Sequence, residues 1–330
     1  MSFTRVRGQD RAIALLQRAL ARGRLAHALI FAGPAGVGKR TTARALAAAL
    51  FCPQAPDVGC GACEDCRLVA SGSHPDLLIE DLARAREDKP TATRLSIDQI
   101  RRVRARLAVR ALRGRRKVGL IDQAELLTAD AQNALLKTLE EPPGETVLVL
   151  ICTNPDTLLS TIRSRCRLVR FAPLERDIVR DLLILEGTAP EQAESAADLA
   201  EGSTDRARAL TAEGGLEHLA ELRGKLDALG RSTIPQILDL AADLAGPRGD
   251  KGRAQQRRNL ATVLAWCRDH LLDTASATPP GDDDDHDRLD AIRHALRRAE
   301  AAYARSRELE RNANTHLGWD RLLLDLRESR

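Results

Sequence analysis

Aromatic residues and an excess of charge are what this sequence most clearly lacks. Only 2% of its 330 residues are Phe, Trp or Tyr, too few for the aromatic platforms on which proteins stack single-stranded nucleic acid. Its 51 basic residues face 47 acidic ones, so the formal net charge is only +4. The overall charge therefore does not indicate a nucleic-acid-binding protein.

Long apolar segments are also missing. No window approaches the roughly 20 apolar residues that a membrane helix needs, and the opening residues MSFTRVRGQDR lack the apolar core of a signal peptide. We therefore expect a cytoplasmic protein that makes no membrane contact. In such a reducing setting, clustered cysteines favour metal binding over disulfides.

Short apolar runs alternate with helical periodicity in the first half of the sequence. Strand-like runs cover His27 to Ala32, Leu77 to Ile79, Val118 to Ile121, Val147 to Ile151 and Arg167 to Phe171, and helical patterns cover Thr41 to Phe51, Ile97 to Leu107 and Ala129 to Leu139. This alternation predicts an α/β domain, in which a parallel sheet is covered by helices on both faces.

The length of the chain allows two or three domains. We place the α/β domain at residues 1–173. Short helical patterns then predict a small helical domain at 174–214, and Gly214-Gly215 marks a hinge before an all-α domain at 215–330. Inside this last domain, we interpret the run Asp282 to Asp285 as a solvated or disordered connection. Metal binding is disfavoured, because no calcium-loop spacing surrounds the run.

A glycine-rich loop is the most informative motif. Residues 33–40 read Gly-Pro-Ala-Gly-Val-Gly-Lys-Arg, which follows the phosphate-binding spacing G-x-x-x-x-G-K-[ST] except at its last position. There, Arg40 replaces the hydroxyl that would hold magnesium. The predicted nucleotide-binding residues of this loop are Gly33, Gly36, Gly38, Lys39, Arg40 and Thr41. Whether the loop still binds a nucleotide stays open.

The second half of the predicted site departs from the pattern too. Asp122 follows a strand, where a magnesium-coordinating carboxylate belongs, but Gln123 replaces the glutamate that would polarise water. An amide cannot accept a proton as a carboxylate does, and we expect Glu125, two residues further on, to point elsewhere unless the local backbone shifts. Together with Arg40, Gln123 predicts weak or absent hydrolysis. Asn154 is predicted either beside a γ-phosphate or as a helix cap.

Four cysteines are grouped within residues 52–66. The spacing Cys52-x7-Cys60-x2-Cys63-x2-Cys66 predicts a structural zinc module, since tetrahedral zinc takes four thiolates and then has no open position. A disulfide framework and a set of buried thiols are the alternatives, and His74 is a weaker candidate ligand. Cys152, Cys166 and Cys267 stand apart, and burial is their expected role.

Arginines offer two further candidates. Arg165 lies just before a strand and is able to reach across an interface and neutralise charge on a neighbour's phosphate, although an ordinary surface arginine is the alternative. The stretch Arg101 to Arg116 either contacts DNA phosphates or forms a solvated helical face. The nearly balanced overall charge favours the solvated face.

Taken together, these motifs resemble the AAA+ subunits of bacterial DNA polymerase III clamp loaders. The resemblance rests on Gly8-Gln9, on His27 to Pro34, on the four-cysteine insertion, on Asn133 to Pro143 with its Leu-Leu-Lys-Thr-Leu-Glu-Glu-Pro-Pro run, and on Ser164-Arg165-Cys166. It covers the first domain strongly and the second more weakly, through Gly202-Ser203 and Arg206. The third domain is matched least.

The resemblance implies an AAA+ domain, a helical lid at 174–214 and an oligomerising collar at 215–330. Arg165 would be a finger acting in trans on ATP held by an adjacent motor subunit, and Arg206 would belong to the nucleotide site. The implied partners are gamma/tau and delta subunits in a hetero-pentamer, the sliding clamp, and primed DNA through the complex. Within this nucleotidyltransferase complex, the chain itself would have no polymerase activity and little or no ATPase activity. Its implied cofactor is structural zinc, and binding of ATP and magnesium is doubtful.

Two other functions remain possible at this stage. One is an active clamp-loader motor, in which Thr41 or Thr42 replaces the lost hydroxyl. The other is a zinc-stabilised nucleotide-binding regulator unrelated to replication, which would explain the loop and the cysteines but not Ser164-Arg165-Cys166.

Overall fold

A computed structural model describes residues 1–114, 116–212, 214–246, 250–276, 285–310 and 315–328. The chain divides into two compact units, Met1–Ala209 and Leu210–Arg330, and each is described here by itself. No helix in these described ranges is long and apolar enough to cross a membrane.

The first unit is built on a five-stranded parallel sheet. Its strands are β1 Ala28–Ala32, β2 Leu77–Glu80, β3 Lys117–Ile121, β4 Thr146–Cys152 and β5 Arg167–Arg170. They are hydrogen-bonded in the order β2-β3-β4-β1-β5, and every pair is parallel. The predicted parallel sheet is therefore confirmed, and β1, which leads into the glycine-rich loop, lies between β4 and β5.

Helices cover the sheet and continue after it. They are α1 Asp10–Ala21, α2 Lys39–Phe51, α3 Glu64–Ser71, α4 Leu82–Asp88, α5 Ile97–Ala108, α6 Ala129–Glu140, α7 Ser160–Arg163, α8 Arg176–Leu185, α9 Pro190–Leu199 and α10 Thr204–Thr211. Alternate residues of β1 face two cores. Leu29 packs in the core that contains Leu46 of α2, whereas Ile30 packs in the core that contains Leu135 of α6. Such two-sided burial explains why β1 is apolar at every position.

The second unit is helical, as the sequence predicts for this region. Its helices are α11 Gly215–Asp227, α12 Ile234–Ala245, α13 Asp250–Ser276, α14 Asp285–Glu310 and α15 Thr315–Glu328. Trp319 and Leu322 of α15 are fully buried in a core shared with Ile237 of α12 and Val263 of α13. Of the acidic run, residues 282–284 lie outside the described residues, and α14 begins at Asp285.

The division into three domains stays a prediction. In the structure, α8 and α9 belong to the same compact unit as the sheet, and the second unit begins at Leu210, within α10.

Candidate nucleotide-binding loop and cysteine cluster

Close packing fixes the path of the glycine-rich loop between β1 and α2. A Cβ on Gly33 would lie 2.4 Å from the carbonyl oxygen of Phe171, and a Cβ on Gly36 would lie 2.4 Å from Oγ of Ser203. Gly36 also has a φ of +71°, a conformation that L-residues rarely adopt. Both glycines are therefore required by the fold itself, in addition to any bound phosphate.

Two polar side chains tie the loop to its surroundings. Thr204, at the start of α10, donates hydrogen bonds to the carbonyl oxygen of Gly36 from its N–H at 3.0 Å and from Oγ1 at 2.7 Å. Gln9 is buried, and its Nε2 donates to the carbonyls of Val37 at 3.0 Å and Ala172 at 2.8 Å. In the sequence, Gln9 is only part of a motif and Thr204 gives no signal. The contacts of these two residues with the loop join segments that are far apart in the chain.

The loop lysine is folded back onto the loop. Lys39 is buried, and its Nζ donates to the carbonyl oxygen of Gly33 at 2.6 Å and also to that of Pro34. Burial lowers the pKa of Lys39, while the charges of Glu125 and Asp122 act in the opposite direction. The ammonium group is thus held inside the loop, close to two carboxylates.

Arg40 forms an ion-pair cluster with two carboxylates. Its Nη1 lies 2.9 Å from Oδ2 of Asp81 and 3.2 Å from Oδ2 of Asp122. The other carboxylate oxygen of Asp122 accepts the N–H of Gln123 at 2.9 Å. Burial raises the pKa of Asp122, and the positive charge of Arg40 opposes this shift. Asp81 was not among the predicted site residues, since nothing in its local sequence indicates that β2 places it here.

Magnesium does not fit this arrangement as it stands. The carboxylate expected to coordinate the ion, Asp122, already uses one oxygen for a backbone N–H and the other for Arg40. The alternative hydroxyls are not suitably placed either. Thr42 is fully buried and its Oγ1 donates to the carbonyl of Gly38 at 2.9 Å, while Thr41 is exposed on α2.

The backbone shift on which the predicted direction of Glu125 depends is present in the structure. Gln123 adopts a left-handed conformation with a φ of +54°, and the chain then turns through a short 3₁₀ helix, Ala124–Leu126. Oε1 of Glu125 accepts hydrogen bonds from the N–H and Oγ1 of Thr153, at 3.3 and 3.0 Å. Its charge also acts more strongly on the pKa of Lys39 than that of Asp122 does. The turn at Gln123 therefore brings a carboxylate back towards Lys39.

The two remaining predicted nucleotide residues have partners within the chain. Oδ1 of Asn154 accepts the N–H of Asp156 at 2.9 Å, which is the capping role that the sequence left as one of two alternatives. Nη1 of Arg206 lies 3.1 Å from Oε1 of Glu201. Their contacts with a nucleotide stay predictions.

The four clustered cysteines are brought together by the fold. All four Sγ atoms lie within 4.8 Å of one another; Cys52 and Cys63 are 3.8 Å apart and Cys60 and Cys66 are 4.0 Å apart. A tetrahedron with zinc–sulfur bonds of about 2.3 Å has edges of about 3.8 Å, so this donor set fits one zinc ion. All four are free cysteines, not disulfides.

Backbone donors surround these thiols. The Sγ of Cys52 accepts the N–H groups of Ala55 and Cys60, both at 3.3 Å, and the Sγ of Cys60 accepts that of Cys63 at 3.2 Å. The N–H groups of Cys63 and Ala62 lower the pKa of Cys60 to about 6. These donors favour the thiolate form that a metal requires.

His74 is not part of the cysteine cluster. Its Nδ1 accepts the N–H of Asp76 at 3.1 Å, its Nε2 lies 3.4 Å from Oδ1 of Asp65, and its ring stacks on Phe51 at 4.1 Å. The weaker prediction of His74 as a ligand is therefore wrong, because both ring nitrogens face other groups. Of the isolated cysteines, Cys152 and Cys267 are buried and Cys166 is half-buried.

Arg165 lies at the surface, between α7 and β5. Its side chain is 38% exposed, with Nη2 2.8 Å from Oε1 of Glu140 and Nη1 donating to the carbonyl oxygen of Thr161 at 2.9 Å. In the basic stretch, four arginines pair with acidic side chains: Arg101 with Asp98, Arg102 with Asp88, Arg113 with Glu64 and Asp65, and Arg116 with Glu145. These pairs support the solvated-face interpretation.

The fold and the loop together define an α/β P-loop protein whose own nucleotide site is altered. A family model described as "DNA polymerase III, delta subunit" matches residues 8–175, which is 168 of the 330 residues. The chain therefore belongs to this DNA polymerase III family.

Curated relatives agree with that assignment. The chain is 35% identical over 191 residues to "DNA polymerase III subunit delta'" of Bacillus subtilis, covering 58% of this chain and 56% of that protein. It is 44% identical over 146 residues to the protein of the same name from Pseudomonas aeruginosa, covering 44% and 43%. It is also 36% identical over 278 residues to "DNA polymerase III subunit tau" of Escherichia coli, covering 80% and 41%. The matched part thus spans about half the length of these relatives.

Proposed function

We propose that this chain is a clamp-loader subunit of the delta-prime type, which acts in DNA replication. In this role it hydrolyses little or no ATP, helps to load the sliding clamp onto primed DNA, and donates Arg165 to ATP bound by a neighbouring subunit. One observation carries the proposal: the chain's own nucleotide site is occupied by internal contacts, whereas Arg165 is presented at the surface.

The state of the chain's own site supports weak or absent hydrolysis. Arg40 pairs with the carboxylate that would hold magnesium, and Gln123 stands where a general base is needed. Lys39 is engaged by loop carbonyls.

The setting of Arg165 suits a group that acts on another molecule. It is held by one carboxylate, Glu140, which is 51% exposed, by the backbone carbonyl of Thr161 and by Oγ of Ser164 at 3.4 Å. An exposed ion pair contributes only about 0–1 kcal/mol, so the guanidinium can leave Glu140 at little cost. In known phosphoryl-transfer systems, such a finger contributes a factor of about 10³–10⁵.

The proposed partners follow from the family and from the names of its members. Relatives are named delta' and gamma/tau subunits, and we propose that this chain assembles with gamma/tau and delta subunits in a cytoplasmic hetero-pentamer. Residues 174–214 would then act as a lid and 215–330 as a collar. The cysteine cluster would hold a structural zinc ion, which stabilises the insertion after α2 and takes no part in phosphoryl transfer.

An active gamma/tau-type ATPase is the second candidate. The specific observation in its favour is Glu125, whose carboxylate lies close enough to influence Lys39. Against it stand Arg40 and the buried, hydrogen-bonded hydroxyl of Thr42. A regulator unrelated to replication is disfavoured by the family match.

The decisive experiment uses the reconstituted complex with Arg165→Ala. We expect DNA-stimulated ATP turnover to fall by about 10³-fold or more, while assembly measured by gel filtration is unchanged. Arg163→Ala is the matched control, because Arg163 is a similarly exposed arginine two residues away that pairs with Asp156. It should leave turnover unchanged.

Two results would overturn the proposal. One is wild-type turnover in the Arg165→Ala complex. The other is ATP hydrolysis by the purified chain alone at the rate of a motor subunit, which would favour the second candidate instead.

A further inference from the structure

We propose that Arg40 takes the place of the divalent cation in this P-loop, so that the loop binds a nucleoside diphosphate without magnesium. The inference concerns the chain's own loop and does not depend on Arg165 or on assembly. It begins from the mismatch between this site and a magnesium ion.

Both carboxylates of the cluster are already engaged without a metal. The carboxylates of Asp81 and Asp122 both contact Nη1 of Arg40. The remaining oxygens are also used, since Oδ1 of Asp81 accepts the N–H of Arg84 at 3.0 Å and Oδ1 of Asp122 accepts that of Gln123. Magnesium demands oxygen ligands in a near-ideal octahedron. It would therefore have to displace a guanidinium that is held by two carboxylates.

The same guanidinium retains donors for a ligand. Both ion pairs use Nη1 alone, and among the described residues no other contact of Arg40 is found. Its side chain, at the first turn of α2, is 47% exposed, and neither Nη2 nor Nε has a partner among the described residues. Planar guanidinium donors bind phosphate oxygens in pairs, and the two carboxylates limit the movement of the group.

The position of Arg40 places these donors beside the phosphate-binding backbone. Arg40 directly follows Lys39 at the start of α2, where unpaired N–H groups and the helix dipole attract anions. In an ordinary P-loop, the residue at this position holds the ion that neutralises the phosphates. Here, the side chain at the same position carries the positive charge itself.

Isothermal titration of the purified chain with ADP, in excess magnesium chloride or in excess EDTA, tests this. For the wild type we expect the same Kd in both conditions within about twofold. Arg40→Thr restores the hydroxyl and frees Asp122, so its Kd should be about tenfold or more weaker in EDTA than in magnesium. Arg40→Lys, the charge-preserving control, should stay independent of the metal.

A second measurement detects the metal directly. Electron paramagnetic resonance of Mn²⁺ with the ADP-saturated wild type should detect no protein-bound ion, whereas Arg40→Thr should bind one. Wild-type ADP binding that requires magnesium, metal-independent binding by Arg40→Thr, or no ADP binding by the wild type in either condition would overturn the inference. None of these results would bear on Arg165, so failure of this inference is distinguishable from failure of the proposed function.

Discussion

The contact between the P-loop and α10 makes a quantitative prediction for Gly36→Ala. Alanine at a φ of +71° costs about 1–2 kcal/mol. The new Cβ would also lie 2.4 Å from Oγ of Ser203 and 2.6 Å from the backbone nitrogen of Asp205, so α10 has to move. That movement weakens two hydrogen bonds from Thr204 to the carbonyl of Gly36, each contributing about 0.5–1.5 kcal/mol.

The matched control is Gly144→Ala. Gly144 has a φ of +60°, and nothing lies within 4 Å of its Cβ position, so this variant carries the backbone cost alone. We expect the free energy of opening around α10 to fall by about 1–3 kcal/mol more in Gly36→Ala than in Gly144→Ala.

Hydrogen exchange is the appropriate assay, because a chain with two units need not unfold in a single transition. Both tryptophans, Trp266 and Trp319, lie in the second unit, so their fluorescence does not report on the loop. In peptides that span Ser203 to Ala209, Gly36→Ala should exchange roughly 5- to 150-fold faster than Gly144→Ala. Equal exchange in the two variants would refute the view that α10 and the loop hold each other in place.

Three further perturbations have expected outcomes. Metal analysis should find about one zinc per chain. The zinc should be lost in Cys60→Ser and retained in the control Cys166→Ser, which alters a cysteine outside the cluster. Zinc retained in Cys60→Ser would contradict the assignment. Burial raises the pKa of Glu80. The folded state therefore binds the carboxyl proton of Glu80 more tightly than the unfolded state does, and ionisation of this carboxyl group destabilises the fold. Glu80→Gln should therefore raise the free energy of unfolding at pH 7, and the gain should vanish below the unfolded pKa of about 4.3, in denaturation curves taken across that range. Leu46→Ala removes a fully buried side chain beneath the sheet and should lower the free energy of unfolding by about 2–5 kcal/mol in the same experiment. A smaller decrease would show that the surrounding side chains collapse into the cavity.

Strands β1 to β4 were predictable because they are buried along their whole length. Each appears in the sequence as an apolar run within about two residues of its observed bounds, since parallel strands covered by helices are buried on both faces. The edge strand β5 differs, because Arg167 and Arg170 at its two ends are exposed. Helices α1, α3, α4 and α7 were not predicted. Three of these are short, with eight, seven and four residues, which is too few for periodicity to be a clear signal.

The chemistry of the loop was only partly predictable. Sequence spacing identifies Arg40, Asp122 and the four cysteines, because these motifs are local. It does not show that Arg40 pairs with Asp81, or that Glu125 turns back towards Lys39. Both features depend on how parallel strands bring their carboxyl ends to one edge of the sheet. The direction of Glu125 also depends on the left-handed conformation of Gln123, which no turn motif in the sequence predicts.

The loop has a structural role that explains why its glycines and lysine persist beside an altered metal position. Gly33 lies against the backbone of Phe171, and Gly36 lies against α10, where no side chain fits. Lys39 donates hydrogen bonds to two carbonyls of the loop, those of Gly33 and Pro34. These residues are constrained by packing, whereas Arg40 is half-exposed, so the ion-binding position can change without disturbing the joint between the sheet and α10. The proposed loss of magnesium binding is therefore compatible with an intact loop.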